Sequence, residues 1–413
     1  MRDFDYRNRE LYCEGVSLAR LAENVGTPCY VYSTSALLRA YSELDEAFAS
    51  VDHLICFAIK SNSNLAVLKL LAAQGAGMDI VSGGELYRAL QAGVPSDRII
   101  YSGVGKSEAE IRYALASGIL CFNVESLPEL EAIERVASSG DRPAPVSLRI
   151  NPDVESRTHE YTSTGKKENK FGIPYSQALD FYKELGKFRH LKVLGIDTHI
   201  GSQVTEIEPF VQAFRKLAGL FERLREAGTA LQFMDIGGGL GITYRDETPP
   251  TAAEFAQAVL PIIKPLGCRI ILEPGRFISG NAGVLLTRVL YFKQTGVKNF
   301  AIIDAGINDL IRPSLYNAYH EILPVKENDG KRLKMDVVGP ICETGDWLAK
   351  DRELPELEEG DLLVFISAGA YSATMSSNYN SRPRGAEVLV EGSSYRVVRR
   401  AESYADLVRG EEV

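Results

Sequence analysis

Lys60 stands at the end of a predicted strand, a position suited to covalent chemistry. Lys60 lies in the sequence FAIKSN, directly after the apolar residues 54–59. A lysine is costly to bury, so an inward lysine at a strand end needs a charged partner or a reaction to perform. One such reaction is a Schiff base with a carbonyl group or an aldehyde cofactor. The alternative, which Lys60 taken alone favours, is a solvent-exposed lysine.

Two later loops have the composition of phosphate-binding loops. Residues 235–241 read DIGGGLG, residues 273–276 read EPGR, and each loop follows an apolar run. Glycines let backbone N–H groups approach phosphate oxygens, which makes Gly238 and Gly239 candidates for anion binding. A tight turn is the alternative for the glycines alone. The occurrence of both loops after neighbouring strands favours phosphate, and Arg276 can then reach phosphate or a substrate carboxylate.

Other polar side chains also stand at the ends of apolar runs. Arg149 lies near the end of one run, His199 in THIGSQ ends the next, and Glu273 ends a third. A lone histidine is usually structural, but one on the same face as Lys60 can stack on a cofactor. Ser202, three residues after His199, can donate to phosphate, and Glu273 is expected to point into the same site.

The last third of the chain has three further signals. Arg312 and Tyr316 are four residues apart, Cys342 stands beside Glu343 in CETGD, and Tyr371 lies in a stretch of small residues. The alternatives are a surface arginine, a buried cysteine and a core tyrosine. Each alternative is credible when the residue is considered singly.

Eight apolar runs alternate with amphipathic helical patterns and predict an α/β fold. We expect strands at residues 54–59, 77–82, 99–103, 120–124, 145–150, 193–200, 231–236 and 269–273. Eight such units in about 220 residues suggest a (β/α)8 TIM barrel. An open doubly wound sheet is the alternative, because its strands look the same locally. The polar residues cluster at the carboxyl ends of the predicted strands, which favours the barrel.

Three intervening helices are expected to begin at capping boxes of the form Ser-x-x-Glu. The pairs are Ser82 with Glu85, Ser107 with Glu110, and Ser126 with Glu129. Gly93 and Gly118 are expected to end the first two of these helices.

A mainly β second domain is predicted after the barrel, because the alternation of helix and strand stops near residue 280. We expect the barrel to span residues 35–279, and residues 1–34 and 280–413 to form the β-rich domain. The polar segment 151–175 has little periodicity, and we expect it to shield a site at the carboxyl ends of the strands.

Composition excludes several classes of protein. The 413 residues are 45% hydrophobic and 24% charged, which indicates a globular protein and not a disordered or fibrous one. The formal net charge of -9, without a basic run, argues against nucleic-acid binding. The six scattered cysteines suggest neither a metal site nor a disulfide framework. No run is long enough to cross a membrane and the N-terminus is charged, so we expect a cytoplasmic protein.

Taken together, the motifs resemble the fold III group of pyridoxal phosphate enzymes, and within it the diaminopimelate decarboxylases. FAIKSN resembles the family's lysine motif, and THIGSQ, GGGLG, EPGR, CETGD and GAY occur in the family's order. The segments STGKKENKFG and RPSLYNAYHEI are more particular to diaminopimelate decarboxylases than to ornithine or arginine decarboxylases. One departure is the SNSN after Lys60, where a small residue often follows. The resemblance spans nearly the whole chain and implies an alanine racemase-like architecture with pyridoxal 5'-phosphate as cofactor.

The resemblance also implies roles for individual residues. Lys60 would hold the cofactor, Glu273 would keep its ring nitrogen protonated, His199 would stack on the ring, and Cys342 would donate a proton. The implied cofactor-binding residues are Lys60, Asp79, Arg149, His199, Ser202, Gly238, Gly239, Glu273, Pro274, Gly275, Arg276 and Tyr371. The implied substrate-binding residues are Arg276, Arg312, Tyr316, Glu343 and Tyr371. In this family Cys342 and Glu343 would reach into the site of the neighbouring subunit, which implies a homodimer with shared sites.

The implied activity is the decarboxylation of meso-2,6-diaminopimelate to L-lysine and carbon dioxide, the last step of lysine biosynthesis. A related decarboxylase of ornithine, arginine or carboxynorspermidine is the nearest alternative. An alanine racemase would place an arginine where Glu273 stands. A non-catalytic cofactor carrier would lack the β domain, and a regulatory pseudoenzyme would lack Lys60.

Overall fold

The predicted strands occur in the structure as two separate sets. The structure is a computed structural model that describes residues 3–140, 142–154 and 170–412. The strands are β1 Phe4–Arg7, β2 Glu10–Cys13, β3 Val16–Ser17, β4 Cys29–Ser33, β5 His53–Ala58, β6 Gly77–Ile80, β7 Ile99–Tyr101, β8 Cys121–Val124, β9 Ala144–Asn151, β10 Ile173–Pro174, β11 Leu191–Asp197, β12 Phe233–Asp235, β13 Arg269–Leu272, β14 Gly283–Gln294, β15 Asn299–Ile303, β16 Ile322–Pro324, β17 Arg332–Val338, β18 Trp347–Pro355, β19 Leu362–Phe365, β20 Ala386–Glu391 and β21 Ser394–Arg399. The helices are α1 Leu18–Val25, α2 Thr34–Phe48, α3 Leu65–Ala72, α4 Gly83–Gln91, α5 Glu108–Ser117, α6 Leu127–Ala137, α7 Ala178–Leu185, α8 Glu208–Glu226, α9 Ala252–Ile263, α10 Arg276–Ser279, α11 Arg312–Tyr316 and α12 Tyr404–Leu407.

Eight parallel strands close into a barrel. The hydrogen-bonded order is β9, β11, β12, β13, β5, β6, β7 and β8, and β8 pairs in turn with β9. An open doubly wound sheet would leave two edge strands, so this closure confirms the predicted (β/α)8 barrel. All eight predicted barrel strands are present, with ends that differ by a few residues from the expected ones.

Helices cover the barrel with apolar faces. In α8 the buried residues recur at helical spacing, and Phe210 and Phe214 lie on the buried face. The ring of Phe210 meets that of Phe255 on α9 edge to face, with ring centroids 4.9 Å apart. Such aromatic contacts stabilise the packing of neighbouring helices beyond the area that they bury.

The predicted capping boxes are confirmed in part. At Ser107 and Glu110 both reciprocal hydrogen bonds are present, and Gly118 ends α5 in the left-handed conformation. Ser82 and Ser126 also cap their helices. In these two cases, however, the glutamate side chain accepts from the backbone N–H one residue before the serine. The prediction of complete capping boxes at Ser82 and Ser126 was wrong, because Glu85 and Glu129 accept from those preceding backbone N–H groups instead.

The second set of strands forms a mixed sheet. Its order is β18, β17, β15, β14, β4, β20 and β21, with β19 and β16 added beside β14. Strand β4 pairs antiparallel with β14 and parallel with β20, which ties part of the expected β-rich segment 1–34 into this sheet. Strands β1, β2 and β3 form a small sheet of their own.

The chain divides into two compact units. The β-rich unit comprises residues 1–40, 243–247 and 278–413, and the barrel unit comprises residues 41–242 and 248–277. The domain boundaries expected from the sequence stay a prediction.

Residues 155–169, the centre of the segment expected to shield a site, lie outside the described residues. After them, β10 pairs in parallel with the last two residues of β9, Ile150 and Asn151. Within the described ranges, no helix combines the length and the apolar character that crossing a membrane requires.

Candidate functional site

Lys60 lies in a single 3-10 turn, Ile59–Ser61, that directly follows β5. Its Nζ donates to Oδ2 of Asp79 at 2.5 Å, and Asp79 is fully buried on β6. Strand register explains the contact, because Asp79 pairs with Ala58 on the neighbouring strand. The other carboxylate oxygen, Oδ1 of Asp79, is buried and has no hydrogen-bond partner among the described residues. The ion pair therefore holds a cationic lysine at the mouth of the barrel.

Glu273 follows β13 and is buried at the same end of the barrel. Its Oε1 accepts from Oγ of Ser102 and from Nδ2 of Asn123, both at 3.2 Å. These two donors come from the ends of β7 and β8, and the sequence analysis did not single them out. An asparagine within the otherwise apolar residues 120–124 is the sequence signal that would have identified Asn123.

The charge of Glu273 is balanced between opposing neighbours. Burial raises its pKa to about 7, and the carboxylate of Asp79 adds to that rise. Lys60 and Arg149 act in the opposite direction because a nearby cation favours the ionised carboxylate. Glu273 can therefore hold or release a proton near neutral pH.

Three buried carboxylates meet inside the barrel. Oxygen atoms of Asp197, Asp235 and Glu273 all lie within 4.8 Å of one another. Burial raises the pKa of both aspartates well above the ordinary value, and the charge of Glu273 raises both further. Backbone N–H of Gly237 donates to Asp235 at 2.9 Å, and Asn123 donates to both Asp235 and Glu273. Such inward N–H donors disfavour a cation at this position, and the expectation of no metal stays a prediction.

The two aspartates were missed in the sequence analysis. Asp197 and Asp235 end the apolar strands β11 and β12 and face each other in register. A charged residue at the end of an apolar run, the signal that identified Lys60, would have identified both.

Arg149 is buried near the end of β9 and held by carboxylates. Its Nη1 donates to Oε1 of Glu125 at 2.8 Å, and its Nε lies 3.9 Å from Oδ2 of Asp197. The guanidinium also lies over the ring of Phe171, 5.0 Å from the centroid. Arg149 is thereby fixed as a cation beside the carboxylate cluster.

His199 follows β11 and is a neutral imidazole in this arrangement. Backbone N–H of Gly238 donates to its Nδ1 at 3.2 Å, which places the ring proton on Nε2. Burial lowers the pKa of His199 well below the ordinary value, and the charges of Arg149 and Lys60 lower it further. A neutral ring can stack against an aromatic ligand without adding positive charge.

The glycine loops approach their neighbours more closely than any side chain would permit. A Cβ on Gly238 would lie 2.2 Å from the carbonyl oxygen of Glu273, and one on Gly239 would lie 2.4 Å from that of Gly201. Gly239 also has a φ of +104°, in the region that favours glycine. Pro274 accepts from the backbone N–H of Ala58 at 3.0 Å, which holds the second loop against β5.

Two further predicted residues of the barrel unit contact each other. Arg276 begins α10, and its Nη2 donates to Oγ of Ser202 at 3.0 Å. Arg276 is buried, and Gly275 precedes it in a position where a Cβ would lie 2.9 Å from that of Ser61. A cation, a hydroxyl and a close-packed glycine loop thus occur together near the end of β13.

The predicted substrate residues belong to the β-rich unit. Arg312, at the start of α11, is buried, and its Nη1 donates to Nε2 of His320 at 2.9 Å. Nδ1 of His320 donates to the carbonyl oxygen of Ile366 at 2.8 Å, which leaves Nε2 as the acceptor. Arg312 also lies over the ring of Tyr244 at 4.7 Å, so its plane is fixed on two sides. Tyr316 ends the same helix and is partly buried.

The Cys342 loop is held by a buried carboxylate. Asp346 accepts from the backbone N–H of Ile341 at 2.6 Å and from that of Ile307 at 2.7 Å. Cys342 is exposed, and Glu343 beside it is exposed as well. The Glu343 carboxylate raises the pKa of Tyr379 through a hydrogen bond.

Tyr371 has a φ of +56°, which is uncommon for a tyrosine. It is partly buried in the β-rich unit, after β19. The structure thus gathers the predicted barrel residues around one end of the barrel. It describes Arg312, Tyr316, Cys342, Glu343 and Tyr371 within the other unit.

The barrel residues fit the expected cofactor, pyridoxal phosphate. The amine of Lys60 fits an aldehyde, Glu273 fits a basic ring nitrogen, and glycine loops such as those at Gly239 and Gly275 are of the kind whose backbone N–H groups bind phosphate. The buried Oδ1 of Asp79, which has no partner among the described residues, can accept a further hydrogen bond beside the lysine.

Comparison with known proteins gives a consistent result. Residues 34–280 match the family model described as pyridoxal-dependent decarboxylase, pyridoxal binding domain. A diaminopimelate decarboxylase of Pseudomonas aeruginosa is 52% identical over 413 residues, which covers 100% of this chain and 99% of the relative. One from Neisseria meningitidis serogroup B is 53% identical over 393 residues, covering 95% of each chain.

Solved structures are similar over the same length. The diaminopimelate decarboxylase of Helicobacter pylori complexed with L-lysine has a TM-score of 0.92 at 43% identity, covering 95% of this chain and 98% of that one. The enzyme of M. jannaschii in co-complex with L-lysine has a TM-score of 0.94 at 37% identity, covering 99% and 98%. These values far exceed what a shared fold alone requires. The chain therefore belongs to the diaminopimelate decarboxylase family of pyridoxal-dependent decarboxylases.

Proposed function

We propose that this chain decarboxylates meso-2,6-diaminopimelate to L-lysine and carbon dioxide, the last step of lysine biosynthesis, with pyridoxal 5'-phosphate as cofactor. The observation that carries the proposal is the pairing of a cationic lysine with a buried carboxylate at one barrel end. Lys60 is held by Asp79, and the pKa of Glu273 is raised to about 7. A carboxylate at the position of Glu273 distinguishes a decarboxylase from an alanine racemase, in which an arginine would stand at that position.

The cofactor supplies the electron sink: when bound, pyridoxal phosphate takes up the electron pair that remains as carbon dioxide departs. The residues of the barrel hold protons and orient the groups around it. Asp79 accepts a hydrogen bond from the Lys60 amine and holds it in place. Glu273 would accept a hydrogen bond from the ring nitrogen and keep a proton on it, because an anion in contact raises the pKa of a base.

Other barrel residues orient and enclose the cofactor. We propose that neutral His199 stacks on the ring face, and that Arg149 sets the charge around Glu273. Ser202 and the backbone of Gly238, Gly239 and residues 274–276 would hold the phosphate oxygens. Arg276 is close enough to Ser202 to serve phosphate or a substrate carboxylate.

Selection of the substrate is assigned to the β-rich unit. Arg312 presents a fixed guanidinium plane that matches the distal carboxylate of diaminopimelate in a two-pronged geometry. Glu343 accepts the distal ammonium, and Tyr316 and Tyr371 line the same site. Ornithine and arginine lack a distal carboxylate, so they lose this pairing at a cost on the order of a few kcal/mol.

Cys342 is proposed as the acid that protonates the substrate carbon after decarboxylation. Its exposure supports a role at a subunit interface. We propose a homodimer in which Cys342 and Glu343 serve the site of the neighbouring subunit. The exposed thiol also suits a reducing compartment, so we propose a cytoplasmic location.

The activity is tested with the purified holoenzyme and three separate substrates. Meso-diaminopimelate should release carbon dioxide and L-lysine, while ornithine and arginine should give little or none. Equal release from ornithine would instead favour the related decarboxylases. Borohydride reduction followed by peptide mapping should place the cofactor on Lys60, and a label on another lysine would contradict the assignment.

A further inference from the structure

Asn123 lies at the centre of a buried polar layer formed by Ser102, Asn123, Asp235 and Glu273. It is fully buried on β8, and its Nδ2 lies 3.2 Å from each of three oxygen acceptors. These acceptors are Oε1 of Glu273, Oδ2 of Asp235 and Oγ of Ser102. Ser102 in turn donates from Oγ to the same Oε1 of Glu273 at 3.2 Å. Two donors therefore converge on one oxygen of Glu273.

The backbone of Asn123 is itself clamped by a buried lysine. Nζ of Lys106 donates to the carbonyl oxygen of Asn123 at 2.8 Å, to that of Gly103 at 2.7 Å and to Oε1 of Glu129 at 2.6 Å. The Lys106 side chain is only 1% exposed, so all three of its N–H groups are used away from water. This clamp fixes the position from which the Asn123 amide reaches Glu273.

We infer that Asn123, together with Ser102, is a positioning residue that orients the Glu273 carboxylate toward the cofactor ring nitrogen and keeps it ionised. The inference rests on the proposed function of Glu273. A carboxylate held by fixed donors presents its other oxygen in one direction, which a ring nitrogen can meet without rearrangement. Donation to the ionised form also favours that form over the neutral acid.

The charges around Glu273 explain why these donors matter. The titratable and charged groups that face it are Cys56 on β5, Lys60 after β5, Asp79 on β6, Arg149 on β9, Asp197 on β11 and Asp235 on β12. The Cys56 thiol is neutral because burial raises its pKa well above the ordinary value. The carboxylate of Asp79 opposes the ionised form, whereas Lys60, Arg149 and a hydrogen bond with Asp235 support it. Neutral donors add support without adding charge.

The test uses holoenzyme carrying Asn123→Ala, with the absorption spectrum of the bound pyridoxal phosphate recorded against pH. If Glu273 is less ionised, the ring nitrogen is less protonated and the ring withdraws less electron density. The nitrogen that links Lys60 to the cofactor then holds its proton more tightly. The pH midpoint of the spectral change should therefore rise by at least half a unit. kcat should fall by about tenfold with KM nearly unchanged, as is typical for loss of a supporting hydrogen bond.

Ser147→Ala is the matched control. Ser147 pairs with Asn123 in the register of β8 and β9 and is equally buried, but its hydroxyl has no hydrogen-bond partner among the described residues. This variant should keep the wild-type midpoint and kcat. A merely structural role of the layer would affect both variants alike.

Ser102→Ala provides the second variant, because it removes the other donor and disturbs the barrel less. If Asn123→Ala fails to fold, a raised midpoint in Ser102→Ala supports the inference and an unchanged midpoint overturns it. An unchanged midpoint in folded Asn123→Ala overturns it as well. Glu273→Gln, measured in parallel, separates the two ideas, since wild-type activity in that variant would refute the proposed role of Glu273 itself.

Discussion

At the scale of single residues, the barrel site is a balance of buried charges. Lys60 and Arg149 are each held by a carboxylate, at 2.5 Å and 2.8 Å. The acidic groups outnumber these cations, and burial raises the pKa of Glu273 to about 7. A buried ionised group without full compensation lowers the free energy of unfolding. The charges that the proposed function needs therefore reduce the stability of the fold.

Replacing Glu273 by glutamine should therefore stabilise the cofactor-free protein at neutral pH. Below about pH 4.5 the group is protonated in both the folded and the unfolded state, and the variant gains nothing. Between about pH 4.5 and pH 7 the unfolded chain releases its proton while the folded state retains it, so wild-type stability declines relative to the variant. The gain should reach about 1–3 kcal/mol above pH 7 in urea unfolding.

Glu131→Gln, on the exposed side of α6, is the control for this measurement and should show no such pH-dependent gain. A gain from Glu273→Gln that is the same at pH 4.5 and pH 8 would contradict the raised pKa.

A second prediction at this scale concerns Arg312. Arg312→Ala should reduce kcat/KM for meso-diaminopimelate by about 30-fold to 1,000-fold, equivalent to about 2–4 kcal/mol, because the distal carboxylate loses its partner. Arg312→Lys should restore only part of this, since an ammonium cannot reproduce the two-pronged geometry. Arg245→Ala, an exposed arginine of the same unit, is the control. Wild-type efficiency in Arg312→Ala, with an unchanged cofactor spectrum, would refute the role.

At the scale of elements, α5 and α9 both begin with a capping box, but the glutamates of the two boxes make different contacts. At the start of α5, Glu110 completes the capping box and also accepts from the backbone N–H of Gly83 at the start of α4 at 2.8 Å. At the start of α9, the Glu254 carboxylate accepts from Thr251 of its own box, and no other donor to it occurs among the described residues. One glutamate therefore joins two helices, while the other supports one.

Glu110→Ala should consequently destabilise the barrel more than Glu254→Ala, its matched control. The pKa of Glu110 is lowered to about 2, chiefly by the Gly83 N–H and by Ser107. The stabilisation is thus complete above about pH 4.5 and is lost as pH falls from there toward 2. Because Glu110 is partly exposed, we expect only about 1 kcal/mol at pH 7. Urea unfolding at pH 7 and at about pH 2.5 measures the pH-dependent loss, and equal losses of stability in the two variants at pH 7 would contradict the prediction.

At the scale of the whole molecule, the proposed catalytic groups are divided between two units of one chain. The cofactor residues belong to the closed barrel, while Arg312, Cys342 and Glu343 belong to the β-rich unit. A symmetric dimer would make any contact across its axis twice, so it can complete two sites at once. This is the physical basis for the proposed sharing of sites.

The sharing predicts complementation between two inactive variants. Lys60→Ala and Cys342→Ala homodimers should each be nearly inactive. After joint unfolding and refolding at equal amounts, about half of the dimers should be mixed, and each mixed dimer has one site without either defect. About a quarter of wild-type activity should return. Absence of recovery, with mixed dimers detected by mass spectrometry, would mean that Cys342 serves the lysine of its own chain.

The sequence by itself determined the architecture and the main chemical groups. Apolar runs and helix caps are local signals, and eight repeats of strand and helix leave few ways to bury their apolar faces. Polar residues at the carboxyl ends of such strands must converge at one barrel end. Lys60, His199 and Glu273 could therefore be identified from their places after apolar runs, and the family resemblance added roles for them.

Only the tertiary structure decided which atoms meet across the barrel. Asp197 and Asp235 become neighbours of Glu273 through strand register and closure, and Asn123 reaches Glu273 from a strand distant in the chain. Burial raises the pKa of Glu273, and burial depends on the whole barrel. The sequence shows that a glutamate ends a strand. Its proton affinity depends on three-dimensional surroundings, because the free energy of a charge is determined by every dipole and charge packed around it.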